Sequence, residues 1–125
     1  MKNNNRVLYI EDNSDDLYYF QYLLNKIDKS IHLVSVNNGE DAIDMLSDKP
    51  DDYRAIFLDI KLPKYNAFEI LEKLTELNIS LPTDKIIILT TSSNERDIKL
   101  IQQMGINKFF FKPISENTLR SFFTS

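Results

Sequence analysis

The feature that most constrains this chain is an alternation of short apolar β-type runs with longer segments of helical period. Strand candidates lie at 6–11, 31–36, 55–59, 85–90 and 107–111. Between them, Leu17, Phe20, Leu24 and Ile27 recur at helical spacing, as do Ala42, Ile43 and Leu46. Phe68, Leu71 and Leu74 form a third stripe, Ile98, Ile101 and Met104 a fourth, and Leu119, Phe122 and Phe123 a fifth. Five β units alternating with five α units imply parallel pairing with right-handed crossovers. The predicted fold is therefore α/β: a doubly wound five-stranded parallel sheet flanked by five helices. The runs at 55–59 (up to its terminal Asp59), 86–89 and 109–111 are apolar, as expected of strands covered on both faces. The 31–36 run carries His32 and Ser35 and reads as the more exposed edge.

Capping residues support the helices. Asn13-Ser14 precedes the first, with Asp15 and Asp16 at its positive end. Ser93-Asn94 suits the start of the fourth helix and Ser115 that of the fifth, while Gly105 suits the end of the fourth. At 125 residues the chain reads as one domain, 1–125, without repeats, linker or low-complexity tract, and its last helix leaves no room for an effector domain. A net charge of −4, with basic residues scattered among acids, argues against nucleic-acid binding. There is no cysteine for a disulfide framework or thiolate chemistry. No signal-peptide core or membrane-length apolar stretch occurs, so the expected location is the cytoplasm, with no membrane partner.

The functional signal is what stands at the strand ends. Val7-Leu8-Tyr9-Ile10 runs into Glu11-Asp12, and Ala55-Ile56-Phe57-Leu58 into Asp59. Ile86-Ile87-Ile88-Leu89 runs into Thr90, and Phe109-Phe110-Phe111 into Lys112. In a parallel sheet of order 2-1-3-4-5 these groups meet at one edge, outside the carboxyl ends of the strands. Three neighbouring carboxylates repel one another, and Lys112 offsets one charge. A divalent cation satisfies the balance, and all-oxygen ligands without His or Cys favour Mg²⁺. Asp59 is then a candidate carboxylate nucleophile forming an aspartyl phosphate. The metal and Lys112 neutralise phosphoryl oxygens, and the Thr90 hydroxyl bonds one of them. No Gly-rich phosphate loop is present, which argues against a nucleotide donor. Taken singly, Thr90 is an ordinary β-branched strand residue and Lys112 an ordinary surface lysine; their joint placement decides.

These residues resemble the receiver domain of two-component response regulators, over essentially the whole chain. The matching motifs are Glu11-Asp12, Asp59 with Leu62-Pro63, Thr90-Thr91 and Lys112-Pro113, in this order and spacing. The resemblance implies a flavodoxin-like fold and a stand-alone signalling switch rather than an enzyme, assisting only its own phosphorylation and dephosphorylation. Asp59 would accept a phosphoryl group from a phosphohistidine of a sensor histidine kinase or phosphotransfer protein. Mg²⁺ would be held by Asp12, Asp59 and the main-chain carbonyl of Lys61, with Glu11 acting through water. By the same resemblance Lys112 contacts the phosphoryl group and the Lys112–Pro113 peptide is cis. Thr90 couples to Phe109, and the surface of the fourth helix, fifth strand and fifth helix changes shape for a downstream protein. Lys61 and Ser92 occupy positions that tune phosphoryl lifetime.

The chain departs from the family pattern in places. Glu11 replaces the commoner aspartate, and Phe109 lacks the hydroxyl of the frequent tyrosine. Thr91 is bulkier than usual and narrows access to Asp59. Ala67 stands where glycine is usual, so that turn is expected to differ, Asn66 being a residue that tolerates left-handed geometry. Tyr18, Tyr19 and Tyr22 give the first helix an aromatic outer side, readable as a kinase-docking patch, a homodimer contact or packing against neighbours. His32, the only histidine, is a weak candidate for carrying a phosphoryl group. Two rival functions remain: an Mg²⁺-dependent phosphatase, which would want an acid where Lys61 stands, and a phosphorylation-independent protein-binding module.

Overall fold

The computed structural model describes residues 5–80, 83–91 and 94–124. Five strands, β1 (Arg6–Ile10), β2 (His32–Val36), β3 (Ala55–Leu58), β4 (Ile86–Thr90) and β5 (Lys108–Phe111), form one parallel sheet in the order β2-β1-β3-β4-β5. The crossovers are the helices α1 (Ser14–Ile27), α2 (Gly39–Asp48), α3 (Ala67–Glu76) and α4 (Glu95–Gln103), and α5 (Glu116–Thr124) follows β5. The doubly wound architecture is that expected from the alternation, and the strand order is the one implied by the family resemblance.

Side-chain alternation divides the core into two unlike halves. On one face Leu8, Ile10, Ile56, Leu58, Ile86 and Ile88 meet α2, α3 and α4 in an aliphatic layer. On the other, Tyr9, Phe20, Phe57, Phe122 and Phe123 pack ring against ring beneath α1 and α5. Each fully buried side chain of this kind stabilises the fold by about 1.5–3 kcal/mol. Most are contributed by β1, β3 and β4, the inner strands, which hold the strand ends in fixed register.

Helix starts are set by asparagine. Asn13, Asn38, Asn66 and Asn94 each accept a backbone N–H of the first turn of α1, α2, α3 and α4. Ser115 plays this part for α5, accepting from Thr118 N at 3.1 Å. Gly105, at φ +93°, follows the end of α4 as expected. Ser93 lies outside the described residues, and the α4 cap is Asn94.

Two expectations are corrected. Asn66 is extended (φ −77°, ψ 175°) because its side chain caps α3 in a reciprocal pair with Glu69; the left-handed residue of that loop is Lys64, at φ 72°. Ala67 opens α3 fully buried, donating its N–H to Ile60 O at 2.9 Å. The 109–111 run is not covered on both faces. As the outermost strand, β5 leaves Phe109 and Phe110 half-buried and Phe111 49% exposed. β2 is the other, more exposed edge, as read from His32 and Ser35.

Candidate functional site

Register brings the strand-end groups together. Ile10 pairs with Leu58, and Asp59 N–H donates to Ile10 O at 3.3 Å, so Glu11 and Asp59 leave adjacent strands side by side. Thr90 ends β4, and Lys112 N–H donates to Thr90 O at 2.9 Å, which sets the lysine just past β5. Glu11, Asp59 and Lys112 continue the alternation of Tyr9, Phe57 and Phe110, the face covered by α1 and α5. Thr90 continues that of Ile88, on the opposite face. The Lys112–Pro113 peptide is cis.

The Asp59 carboxylate, in a residue only 7% exposed, is held at both oxygens. The Thr90 hydroxyl donates to Oδ1 at 2.7 Å and Lys112 Nζ to Oδ2 at 3.0 Å. Lys112 Nζ donates also to Glu11 Oε1 and, at 2.8 Å, to Asp16 Oδ2. Burial opposes the lysine's charge, but the bonds to Asp16, Glu11 and Asp59 outweigh it and hold the ammonium above its ordinary pKa. Glu11 is 1% exposed, and burial pushes its carboxyl up, with Lys112 and the Asn13 N–H pulling the other way and Asp59 adding repulsion. Its Oε1 also accepts the Tyr9 hydroxyl at 3.1 Å, and its Oε2 the Asn13 N–H at 3.1 Å. Burial, and then the Glu11 charge, hold the Tyr9 phenol protonated far above its usual range.

Asp12 is exposed and, among the described residues, makes no side-chain hydrogen bond or ion pair. Lys61 is exposed on the loop after Asp59, which is braced by the Ala67–Ile60 bond and by Gly39. A Cβ on Gly39 would stand 2.6 Å from Tyr65 Cβ and O, so that close approach needs glycine. Among the described residues no set of three or more His, Cys, Asp or Glu side chains forms a ready metal cage. The available donors are carboxylate and carbonyl oxygens, few in number, a set that suits Mg²⁺ retaining several waters and not Zn²⁺.

Phe109 is half-buried, pairs with Ile88 across β4–β5 and shares Thr90's face, with Thr90 already bonded to Asp59. Ser92 lies outside the described residues. His32 is exposed on β2, and no described contact ties it to this edge. Two participants were missed in the sequence, Asp16 and Tyr9. Asp16 lies four residues before Phe20, so it stands on the buried stripe of α1, where a charge is out of place. Tyr9 is the one hydroxyl in an otherwise aliphatic strand, two residues before Glu11 and hence on the same face.

A family model described as the response regulator receiver domain matches residues 7–124. The protein PilH of Pseudomonas aeruginosa is 27% identical over 115 residues, 91% of this chain and 90% of PilH. The chain spans only 37% and 44% of the length of two other curated relatives. The structure of the bacteriophytochrome response regulator AtBRR superposes with a TM-score of 0.77 at 28% identity, over 96% of this chain and 90% of that one. A receiver domain of a Pseudomonas aeruginosa sensor histidine kinase, solved with a magnesium ion in its active-site cleft, shares the fold. Its TM-score is 0.73 at 20% identity, over 96% and 94% of the two chains. No described helix is long and apolar enough to cross a membrane. A match that runs from the first strand to the last helix shows that this chain belongs to the response regulator receiver domains, the phosphoacceptor switches of two-component signalling.

Proposed function

We propose that Asp59 is the phosphoacceptor, supported by Lys112, Thr90 and an Mg²⁺ ion held by Asp12, Asp59 and the Lys61 carbonyl, with Glu11 acting through water. The observation that carries this reading is the double hold on Asp59: a hydroxyl on one oxygen and an ammonium on the other. An Asp59 oxygen attacks the phosphorus of a phosphohistidine, the P–N bond breaks, and the imidazole nitrogen leaves with the electron pair. Lys112 then donates to one phosphoryl oxygen and Thr90 to another, each moving from carboxylate to phosphoryl group. When bound, Mg²⁺ neutralises charge on the transferring oxygens. The free, exposed Asp12 and the oxygen-only donor set favour that ion.

Receiver domains exchange phosphoryl groups with histidine kinases or phosphotransfer proteins. For this chain, residues 1–125 act as one such unit in the cytoplasm, and Lys61 and Ser92 set the phosphoryl lifetime. The output runs through Thr90 and Phe109 to the α4–β5–α5 surface and a downstream protein. The half-buried Phe109 and exposed Phe111 there leave an apolar surface for a partner or a second copy to cover.

Incubation with acetyl phosphate and Mg²⁺, followed by intact-mass measurement, tests the reading. A single, slowly decaying phosphoryl adduct, absent in Asp59→Asn, is expected. Multiple turnover on phosphomonoesters would indicate a phosphatase instead. No adduct with any small donor or with a phosphorylated kinase would leave a phosphorylation-independent binding module.

A further inference from the structure

We propose that Asp16 is a positioning residue for Lys112, keeping the ammonium in place while Asp59 changes from carboxylate to acyl phosphate. The inference rests on Asp59 being the acceptor. An ammonium has three hydrogens to donate, and those of Lys112 go to Glu11, Asp16 and Asp59. With acetyl phosphate as donor, an Asp59 oxygen forms the new bond to phosphorus, the P–O bond to the acetyl group breaks, and acetate leaves with the electron pair. Asp59 thereby loses its negative charge, and the hydrogen it accepted from Lys112 goes to a phosphoryl oxygen. Glu11 and Asp16 are the acceptors that remain.

Those two form a rigid pair. Asn13, between them in sequence, donates its N–H to Glu11 Oε2 at 3.1 Å and accepts the Asp16 N–H on its side chain at 3.0 Å. The β1–α1 turn is thus one hydrogen-bonded unit presenting two carboxylates to one ammonium. Tyr9 fixes Glu11 from within the aromatic layer. Packing around the lysine is incomplete on one side. A cavity of about 240 Å³ borders Lys112 on the α1 side, walled chiefly by Tyr9, Tyr19, Phe20, Leu89 and Ile114. On that side the stem faces open space rather than close-packed atoms, so the three contacts at Nζ fix where the ammonium stands. Asp16 is the contact on the cavity side, its side chain 38% exposed against 10% for Lys112.

The test compares phosphorylation rates with acetyl phosphate at saturating Mg²⁺. Asp16→Ala is expected to be slower by about fivefold to tenfold, since a reacting group loses its alignment. Asp16→Asn, which keeps an acceptor oxygen without the charge, should fall between Asp16→Ala and wild type. In a Lys112→Met background Asp16→Ala should change the rate by less than about twofold, because the two residues act as one unit. An independent readout is the ¹H–¹⁵N signal of the Lys112 ammonium, expected to be sharp in wild type and broadened in Asp16→Ala. It decides the matter if Lys112→Met fails to fold. A wild-type rate in Asp16→Ala with the lysine signal unchanged, or an equal slowing with and without Lys112, would overturn the proposal. If wild type itself takes no phosphoryl group, the reading of Asp59 fails, and the lysine signal still reports whether Asp16 holds Lys112.

Discussion

The two ends of the sheet treat their charged groups in opposite ways. At the amino ends of the strands, Arg6 pairs with Asp52 at 2.5 Å and stacks over Tyr53, while Arg54 donates to Asn5 and to the Phe123 carbonyl and stacks over the Phe123 ring. Each arginine there ends on acceptors supplied by the fold. At the carboxyl ends, Glu11, Asp16 and Asp59 gather about Lys112, the cation that pairs with all three. One end is closed, its guanidinium groups tied to acceptors. The other sets three carboxylates on one ammonium, and rigid strands prevent its members from moving apart. An imbalance kept in place by a rigid core is what the proposed phosphoacceptor site with Mg²⁺ would require, and the amino end shows that this fold can tie its cations to acceptors.

The largest break in this contrast should come from Lys112→Met. It leaves Glu11 buried without its cation, and such a loss costs about 3 kcal/mol. Its pH dependence has a definite sign. Burial already raises the Glu11 carboxyl above its ordinary range, and removal of the lysine raises it further. The folded state then binds more protons than the unfolded one, so the deficit relative to wild type is full above the folded pKa. It shrinks as pH falls through that value toward the unfolded one. Urea melts at about pH 7 and about pH 5 should show a smaller difference between variant and wild type at the lower pH.

Arg54→Ala attacks the closed end. It removes two hydrogen bonds and a guanidinium–ring contact, for an expected loss of about 2 kcal/mol. Phosphorylation by acetyl phosphate should stay at the wild-type rate. A slowed rate would mean that the two ends are coupled through β1 and β3 and that the comparison is wrong.

How much of each region was legible in the sequence follows from what its residues do. The strand ends Glu11, Asp59, Thr90 and Lys112 were readable, because they are marked by where an apolar run stops; the sheet order that makes them meet came with the family resemblance. Asp16 was read only as a helix-start acid, since both roles suit an aspartate in a first turn. Only the packing of α1 on the sheet distinguishes them. Phe111 was read as core because an apolar triplet does not reveal that β5 is an outer strand. Arg6 and Arg54 gave no signal at all; their partners Asp52, Asn5 and Phe123 are brought close by the fold, from distant or weakly patterned segments.

Mg²⁺ should act on one end alone. A ligand that binds only the folded state at ten times its dissociation constant stabilises by about 1.4 kcal/mol. Wild type and Arg54→Ala should gain equally in thermal melts with added Mg²⁺. Asp59→Asn, lacking a central carboxylate, should gain far less. An equal gain in Asp59→Asn would place the ion elsewhere and remove Asp59 from its ligand set.

The smallest expected effect is also the sharpest for the contrast. Asp59→Asn without Mg²⁺ should stabilise the protein by about 0.5–1 kcal/mol, as substitutions that relieve a functional site often do. The amide oxygen can still accept a hydrogen bond from Thr90 or Lys112, so part of the bonding survives. The substitution removes the negative charge that raises the Glu11 carboxyl by repulsion, and it leaves Lys112 paired with Glu11 and Asp16 alone. The gain should shrink as Mg²⁺ is added, because the ion compensates wild type for the same excess charge. A loss of stability of 1 kcal/mol or so without Mg²⁺ would show that the bonds of Asp59 to Thr90 and Lys112 outweigh the repulsion. The carboxyl end would then be as closed in its resting state as the amino end.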